Sequence, residues 1–220
     1  MNKKIYTSHD SVKIGLILSM VGGILDSHTF IFRDGVFANT QTGNIVFLAL
    51  SILNDNWGKT LQFILPMIAF AVGAALTELI KNFLPPTSNF KWVHIILLIE
   101  ILFLFLIGFV PKDCYNNLVI TFISFVCSLQ ASGFKSLKGS PYATTMCTGN
   151  LRSTSTNFTN FIFKKDKKAG IICLRYLIII LSFFAGALVG ILLTQLICEH
   201  TLWICSSLLL IAFALINSNE

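Results

Sequence analysis

The chain has 220 residues, 55% of them hydrophobic and only 12% charged, with a net charge of +6 and a mean hydropathy of +0.77. Soluble domains carry about 25% charged residues, so an ordinary water-soluble globular domain is excluded. Uncharged stretches of the roughly 20 residues needed to cross a bilayer recur along the chain, which predicts an all-α, polytopic membrane bundle forming one integral membrane domain, 1–220.

The opening "MNKKIYTSHDSVK" is basic and an apolar run follows it. No small-residue cleavage site comes after that run, so it is read as a first helix that stays in place. "GGILDSHTFIFRDG" (Gly22 to Gly35) closes this helix and carries Asp26 and His28. "FANTQTGNIVF" (Phe37 to Phe47) then brings Asn39, Gln41, Thr42, Gly43 and Asn44 into an apolar context. Next come "FAVGAAL" (Phe70 to Leu76), Glu78 with Lys81 three residues on, Trp92, and Glu100 in "LLIEILF".

The same order then returns. "VCSLQASGFKSLKG" (Val126 to Gly139) lies over Gly22 to Gly35, with Gln130 on Asp26, Phe134 on Phe30 and Gly139 on Gly35. Thr148-Gly149-Asn150 meets Thr42-Gly43-Asn44, "FFAGALV" (Phe183 to Val189) meets "FAVGAAL", and Trp203 meets Trp92. The chain is therefore read as an internal repeat, 12–110 and 115–217. Each half holds an apolar helix, a Thr-Gly-Asn segment and two further apolar helices.

Charge arbitrates the topology, because Lys and Arg collect in cytoplasmic loops. If each Thr-Gly-Asn segment enters and leaves on one side, six helices cross and both termini are cytoplasmic. Thirteen of the sixteen Lys and Arg, including Lys3 and Lys4, are then cytoplasmic, and only Arg33, Lys59 and Lys112 lie outside. Three crossings per half make the halves an inverted repeat, a common plan in transporters. The alternative is eight spanning helices, since Val36 to Asn54 is uncharged and long enough to span. Ser140 to Asn160 holds twelve Ser, Thr or Asn residues plus Arg152. Such a segment must be wrapped by protein or line a wet cavity.

Gly permits a positive φ, and Thr and Asn cap helix starts. The chain is thus expected to enter extended, turn at Thr-Gly-Asn and begin a short helix within the membrane. Two such helix N-termini, with partial positive charge and free N–H groups, would converge on an anionic or polar solute. The plainer alternative is that the glycines only allow close helix packing. The expected contacts are Thr42, Gly43, Asn44, Thr148, Gly149, Asn150, Asn39, Gln41 and Arg152. Ionisable residues within apolar runs are functional candidates, so Asp26, Glu100 and Gln130 are expected to form a polar core or proton relay, with a Glu100–Arg152 pair as one arrangement. Glu78 and Lys81 read as an interfacial ion pair. The small residues around Gly73, Gly186 and Gly190 read as helix contacts.

The six cysteines show no metal-ligand spacing, and Asp26 and His28, two apart, do not share a helix face. No metal, disulfide or cofactor is expected. The Lys164-Lys165-Asp166-Lys167-Lys168 cluster is read as a topology signal that attracts anionic lipid, and nucleic acid is not an expected partner.

On "GGILDSHTFIFRDGVFANTQTGNIVFLAL" and "SLQASGFKSLKGSPYATTMCTGNLRSTSTNF" the chain resembles the YoaK-like bacterial membrane proteins, over nearly its whole length. That resemblance implies a bacterial inner-membrane protein of a family whose function is unknown, and supplies no reaction. The residues themselves point to a small carrier or channel for a polar or anionic solute. The alternatives are a scaffold or accessory subunit, including a homo-oligomer, and a membrane-embedded enzyme. The enzyme has least support, because no catalytic motif is present.

Overall fold

A computed structural model describes residues 10–84, 91–112 and 114–218; Lys3, Lys4 and both chain ends, assigned above to the cytoplasm, lie outside the described residues. The described chain is almost entirely helical. It runs α1 (Val12–Phe32), α2 (Gln41–Leu53), α3 (Trp57–Phe83), α4 (Trp92–Ile107) and α5 (Asn116–Gly133). A two-stranded hairpin follows, β1 (Ser136–Leu137) and β2 (Ser140–Pro141), and then α6 (Cys147–Lys164), α7 (Lys167–Ile197) and, after a 3-10 turn at Cys198–His200, α8 (Thr201–Ser218).

Among the described residues, three segments are long and apolar enough to cross a membrane: Val12–Phe32, Trp57–Phe83 and the run Lys167–Ser218. Gln41–Leu53 and Trp92–Ile107 are apolar but shorter. At 1.5 Å per residue the thirteen residues of α2 reach only about 20 Å, less than a hydrocarbon core of about 30 Å.

The core is built by α1, α4, α5 and α8, whose Leu18, Ile24, Leu97, Leu104, Ile123, Leu129, Leu202 and Leu209 are fully buried together. α7 lies along α1, and α3 lies along α5; α2 then packs on α3, and α6 on α7. The outward faces of α3 and α7 are apolar and exposed, through Leu61, Leu65, Ile68 and Val72 on one and Leu181, Phe184, Leu188 and Leu192 on the other. Apolar residues at helical spacing on an outer face suit contact with lipid tails rather than water.

Missing side chains set the closest approaches, as the small-residue runs suggest. A Cβ on Gly23 would lie 2.1 Å from the Phe183 carbonyl oxygen, and one on Gly186 would lie 2.1 Å from the Met20 carbonyl oxygen. α1 and α7 therefore touch backbone to backbone. Between α3 and α5, a Cβ on Gly73 would fall 2.0 Å from Ser128 Oγ.

One end of the bundle is tied by Arg33, which is wholly buried. Its Nη1 donates to the Pro111 carbonyl (2.8 Å) and to Asn116 Oδ1 (2.7 Å), and its Nη2 donates to the Val110 carbonyl (2.6 Å). Lys81 donates to the Ser132 carbonyl at 2.7 Å, while Glu78 sits 2.9 Å from Lys135 and 3.5 Å from Lys81. The expected Glu78–Lys81 pair is thus the longer of two exposed contacts, of a kind that contributes little to stability.

Candidate functional site

The two Thr-Gly-Asn segments are placed differently from the sequence expectation. Gly43 and Gly149 are not turn residues; both lie in the first turn of their helices, α2 and α6. The left-handed positions come earlier, at Asp34-Gly35 (φ 61° and 79°) and Lys138-Gly139 (φ 47° and 78°). Two successive positive φ angles are the signature of a type I′ turn, and Lys138-Gly139 is the tip of the β1–β2 hairpin. The glycines that reverse the chain are therefore the matched pair Gly35 and Gly139.

Nor do Thr or Asn of the motif cap the helices. The N-cap residues are Thr40 and Met146, and neither helix has a side-chain cap. Asn44 and Asn150, four places inside, reach back instead. Asn44 accepts from Phe37 N (3.0 Å) and donates to the Phe37 carbonyl (2.7 Å). Asn150 accepts from Ala143 N (3.2 Å) and donates to the Ala143 carbonyl (2.6 Å). Each buried amide thus clasps the residue seven places before it, in the same way in both halves. These amides hold the loops; they are already committed to backbone partners.

α1 receives both loops on neighbouring turns. Asp26 Oδ1 accepts from Asn39 N (2.6 Å) and Oδ2 accepts from the Thr40 hydroxyl (2.7 Å). The Asn39 side-chain amide donates to the Gly22 carbonyl at 3.4 Å. From the other side, the Ser19 hydroxyl bonds the Thr144 carbonyl (2.7 Å), and a Cβ on Gly22 would meet Thr145 Cγ2 at 2.5 Å. The loops from the two halves are therefore brought together against the Ser19–Asp26 stretch of a single helix.

Between them lies a cavity of about 630 Å³. Asn39, Thr40, Gln41 and Thr42 line it from one half, and Thr145, Met146, Cys147, Thr148 and Gly149 from the other. Met67, Phe70 and Ala71 of α3 and Phe183 of α7 form apolar walls. The lining pairs off by the sequence correspondence: Asn39 with Thr145, Gln41 with Cys147, Thr42 with Thr148 and Phe70 with Phe183. Two buried polar atoms of this lining, Asn39 Oδ1 and Thr145 Oγ1, have no hydrogen-bond partner, although buried polar groups are nearly always satisfied. Both helices start at the same place without a side-chain cap, although in α2 Gln41 N and Gly43 N already donate to the Asn39 and Thr40 carbonyls. The chemistry offered is thus donors from two helix starts, one unpaired acceptor, one free hydroxyl and an apolar wall.

The remaining expected residues fall elsewhere. Glu100 is buried in α4 with Oε1 unpartnered, whereas Arg152 is exposed on α6, so the Glu100–Arg152 pair does not form. Gln130 is buried and donates to the Leu18 carbonyl at 3.1 Å. His28 turns away from Asp26 to Thr194 Oγ1, 3.0 Å from its Nδ1. Among the described residues no group of three or more potential metal ligands occurs. Sequence reasoning missed Ser19, Thr40 and Thr145. Their signal was available as polar residues inside or beside apolar runs, but hydroxyls of that kind usually bond their own helix and do not stand out.

A family model described as "Protein of unknown function (DUF1275)" matches residues 14–215. No curated protein and no solved structure matches the chain.

Proposed function

We propose that this chain, which belongs to the DUF1275 family, is a small membrane carrier or channel for a polar or anionic solute. One observation carries the reading: corresponding residues of the two halves line a single cavity into which two uncapped helix starts open. Asn39, Gln41, Thr42, Thr148 and Gly149 contact the solute, and Asn44 and Asn150 keep the loops in shape. Helix starts favour a negative or electron-rich group. Met67, Phe70 and Phe183 accommodate an apolar portion, so a small solute with both parts suits the lining. Thr40, which lines the cavity and bonds Asp26, gives that carboxylate access to a proton from the bound solute.

Within this reading the halves are inverted repeats with six crossings, in a bacterial inner membrane with both ends cytoplasmic. The partnering of α1 with α7 and of α5 with α3, each helix with one from the other half, supports it. A scaffold or homo-oligomeric subunit is the second reading. In its favour, Thr148, Arg152, Ser155 and Thr159 follow one another at helical spacing on α6 and are all exposed.

The test is uptake by liposomes containing the purified protein, against a panel of small carboxylates, inorganic anions and neutral polar solutes. At least one solute is expected to be transported. Thr42→Val with Thr148→Val is expected to lower its flux at least tenfold without changing the unfolding temperature. No flux for the whole panel, or full flux in the double variant, removes the cavity from the mechanism.

A further inference from the structure

A second concave feature lies away from that cavity, on the outer side of the α6–α7 pair. It is a groove of about 580 Å³, formed by Phe158 and Phe161 of α6 and Gly170, Leu174 and Leu177 of α7, with Lys167 at one end. Gly170 lets the Phe161 ring pack directly on α7 and form the groove floor: a Cβ there would meet that ring at 2.7 Å. Phe158, Phe161, Leu174 and Leu177 are exposed although strongly apolar, which suits a surface facing lipid tails. From Lys167 to Leu177 the groove runs along ten residues of helix, about 15 Å. That is half of a hydrocarbon core of about 30 Å, the depth of one leaflet.

The charged end is built as well. Lys164, Lys165, Lys167 and Lys168 are all exposed at the α6–α7 turn, and among the described residues none is in an ion pair. The one carboxylate among them, Asp166, is taken up in capping α7, where it accepts from Lys168 N (2.8 Å) and Ala169 N (3.3 Å). Lysine stems can lie along apolar surface while their ammonium groups stay at the interface. An apolar slot one leaflet deep, ending at four unpaired lysines, is complementary to an acyl chain joined to an anionic headgroup.

We infer that the α6–α7 groove is a binding site for one anionic phospholipid, its acyl chain against Phe161, Leu174 and Leu177 and its headgroup phosphate at the lysine cluster. This is independent of the transport reading. Polybasic segments at a membrane surface attract anionic lipid by about fivefold per lysine, so the four together give a clear preference over zwitterionic lipid.

The test uses the full chain in lipid nanodiscs of phosphatidylcholine with and without phosphatidylglycerol. Retained lipid is read by mass spectrometry of the intact complex, and Cys173, which lines the groove, reports occupancy by its alkylation rate, with the exposed Cys198 as internal control. Phosphatidylglycerol is expected to be retained at least tenfold over phosphatidylcholine and to slow alkylation of Cys173 but not of Cys198. Replacing all four lysines by Gln removes the preference. Leu174→Trp, which fills the groove and leaves the charge, removes the retained lipid. Equal retention of both lipids, or a preference that survives the four Gln substitutions, means ordinary surrounding lipid only and overturns the site. Retention that survives Leu174→Trp does the same.

Discussion

Asn44 and Asn150 show how a polar residue in an apolar chain can be structural. Each side chain supplies both the donor and the acceptor that one residue of the preceding loop needs. Asn44→Ala leaves the Phe37 N–H and carbonyl without those partners, at a cost of about 2 kcal/mol for the pair once their partial exposure is allowed for. Thr42 makes no such bond and lines the cavity. Thermal unfolding in detergent should therefore separate the two: Asn44→Ala and Asn150→Ala each lower the unfolding temperature, whereas Thr42→Val does not. Asn44→Asp keeps the acceptor but not the donor, and is expected to fall between wild type and Asn44→Ala. Equal stability of Asn44→Ala and Thr42→Val would mean that the clasp contributes nothing. The sequence marks these asparagines by type and repetition as solute contacts, and in the structure their amides bond the backbone of the preceding loop. Type and repetition mark a residue as special; whether its amide faces a solute or its own backbone depends on where the loop folds back.

Element by element, the order of helices was legible because apolar runs and their interruptions are long-range features of composition. The turn was not. Asp34-Gly35 and Lys138-Gly139 carry the positive φ angles, and the Asp-Gly pair is itself a hairpin signal. It was hidden by the more conspicuous Thr-Gly-Asn, whose glycine has helical neighbours. The polarity of α6 also has a cause the sequence does not display. Thr154, Ser155, Thr156 and Thr159 return their hydroxyls to carbonyls four residues earlier. Such bonds satisfy much of the helix's polarity internally and reduce what must be covered by protein or water. The α1–α7 contact makes the sharper prediction. Gly23→Val places a side chain where the Phe183 carbonyl lies, and overpacking of this kind costs about 1–3 kcal/mol. Because Phe183 also walls the cavity, Gly23→Val should lower both the unfolding temperature and solute flux. Gly149→Ala, with open space around its Cβ, should leave stability unchanged. If Gly23→Val unfolds at the wild-type temperature, the close approach is not what holds α7 to α1.

For the whole molecule, the proposed six-span topology assigns two polar regions to opposite sides of the membrane. Arg33, Asp34 and Asn116 bond one another or adjoining loops at one end of α1 and α5, whereas the Lys164–Lys168 cluster lies at the far end of α6 from the cavity. The six-span topology puts Asn56, between α2 and α3, outside; eight spans put it inside. Asn56→Cys should react with an impermeant maleimide in intact cells, and reaction only after the membrane is opened would reverse that assignment.

Solute access to the place where the two loops meet is the direct test of the central claim. Single cysteines at Thr42 and at Thr148, in a background lacking the native cysteines, should each be modified by a charged thiosulfonate in liposomes. Each modification should stop solute flux, and a cysteine at Leu53 on the exposed face of α2 should not. Failure of the reagent to reach either loop residue, or full modification of both with flux intact, would contradict a shared solute cavity.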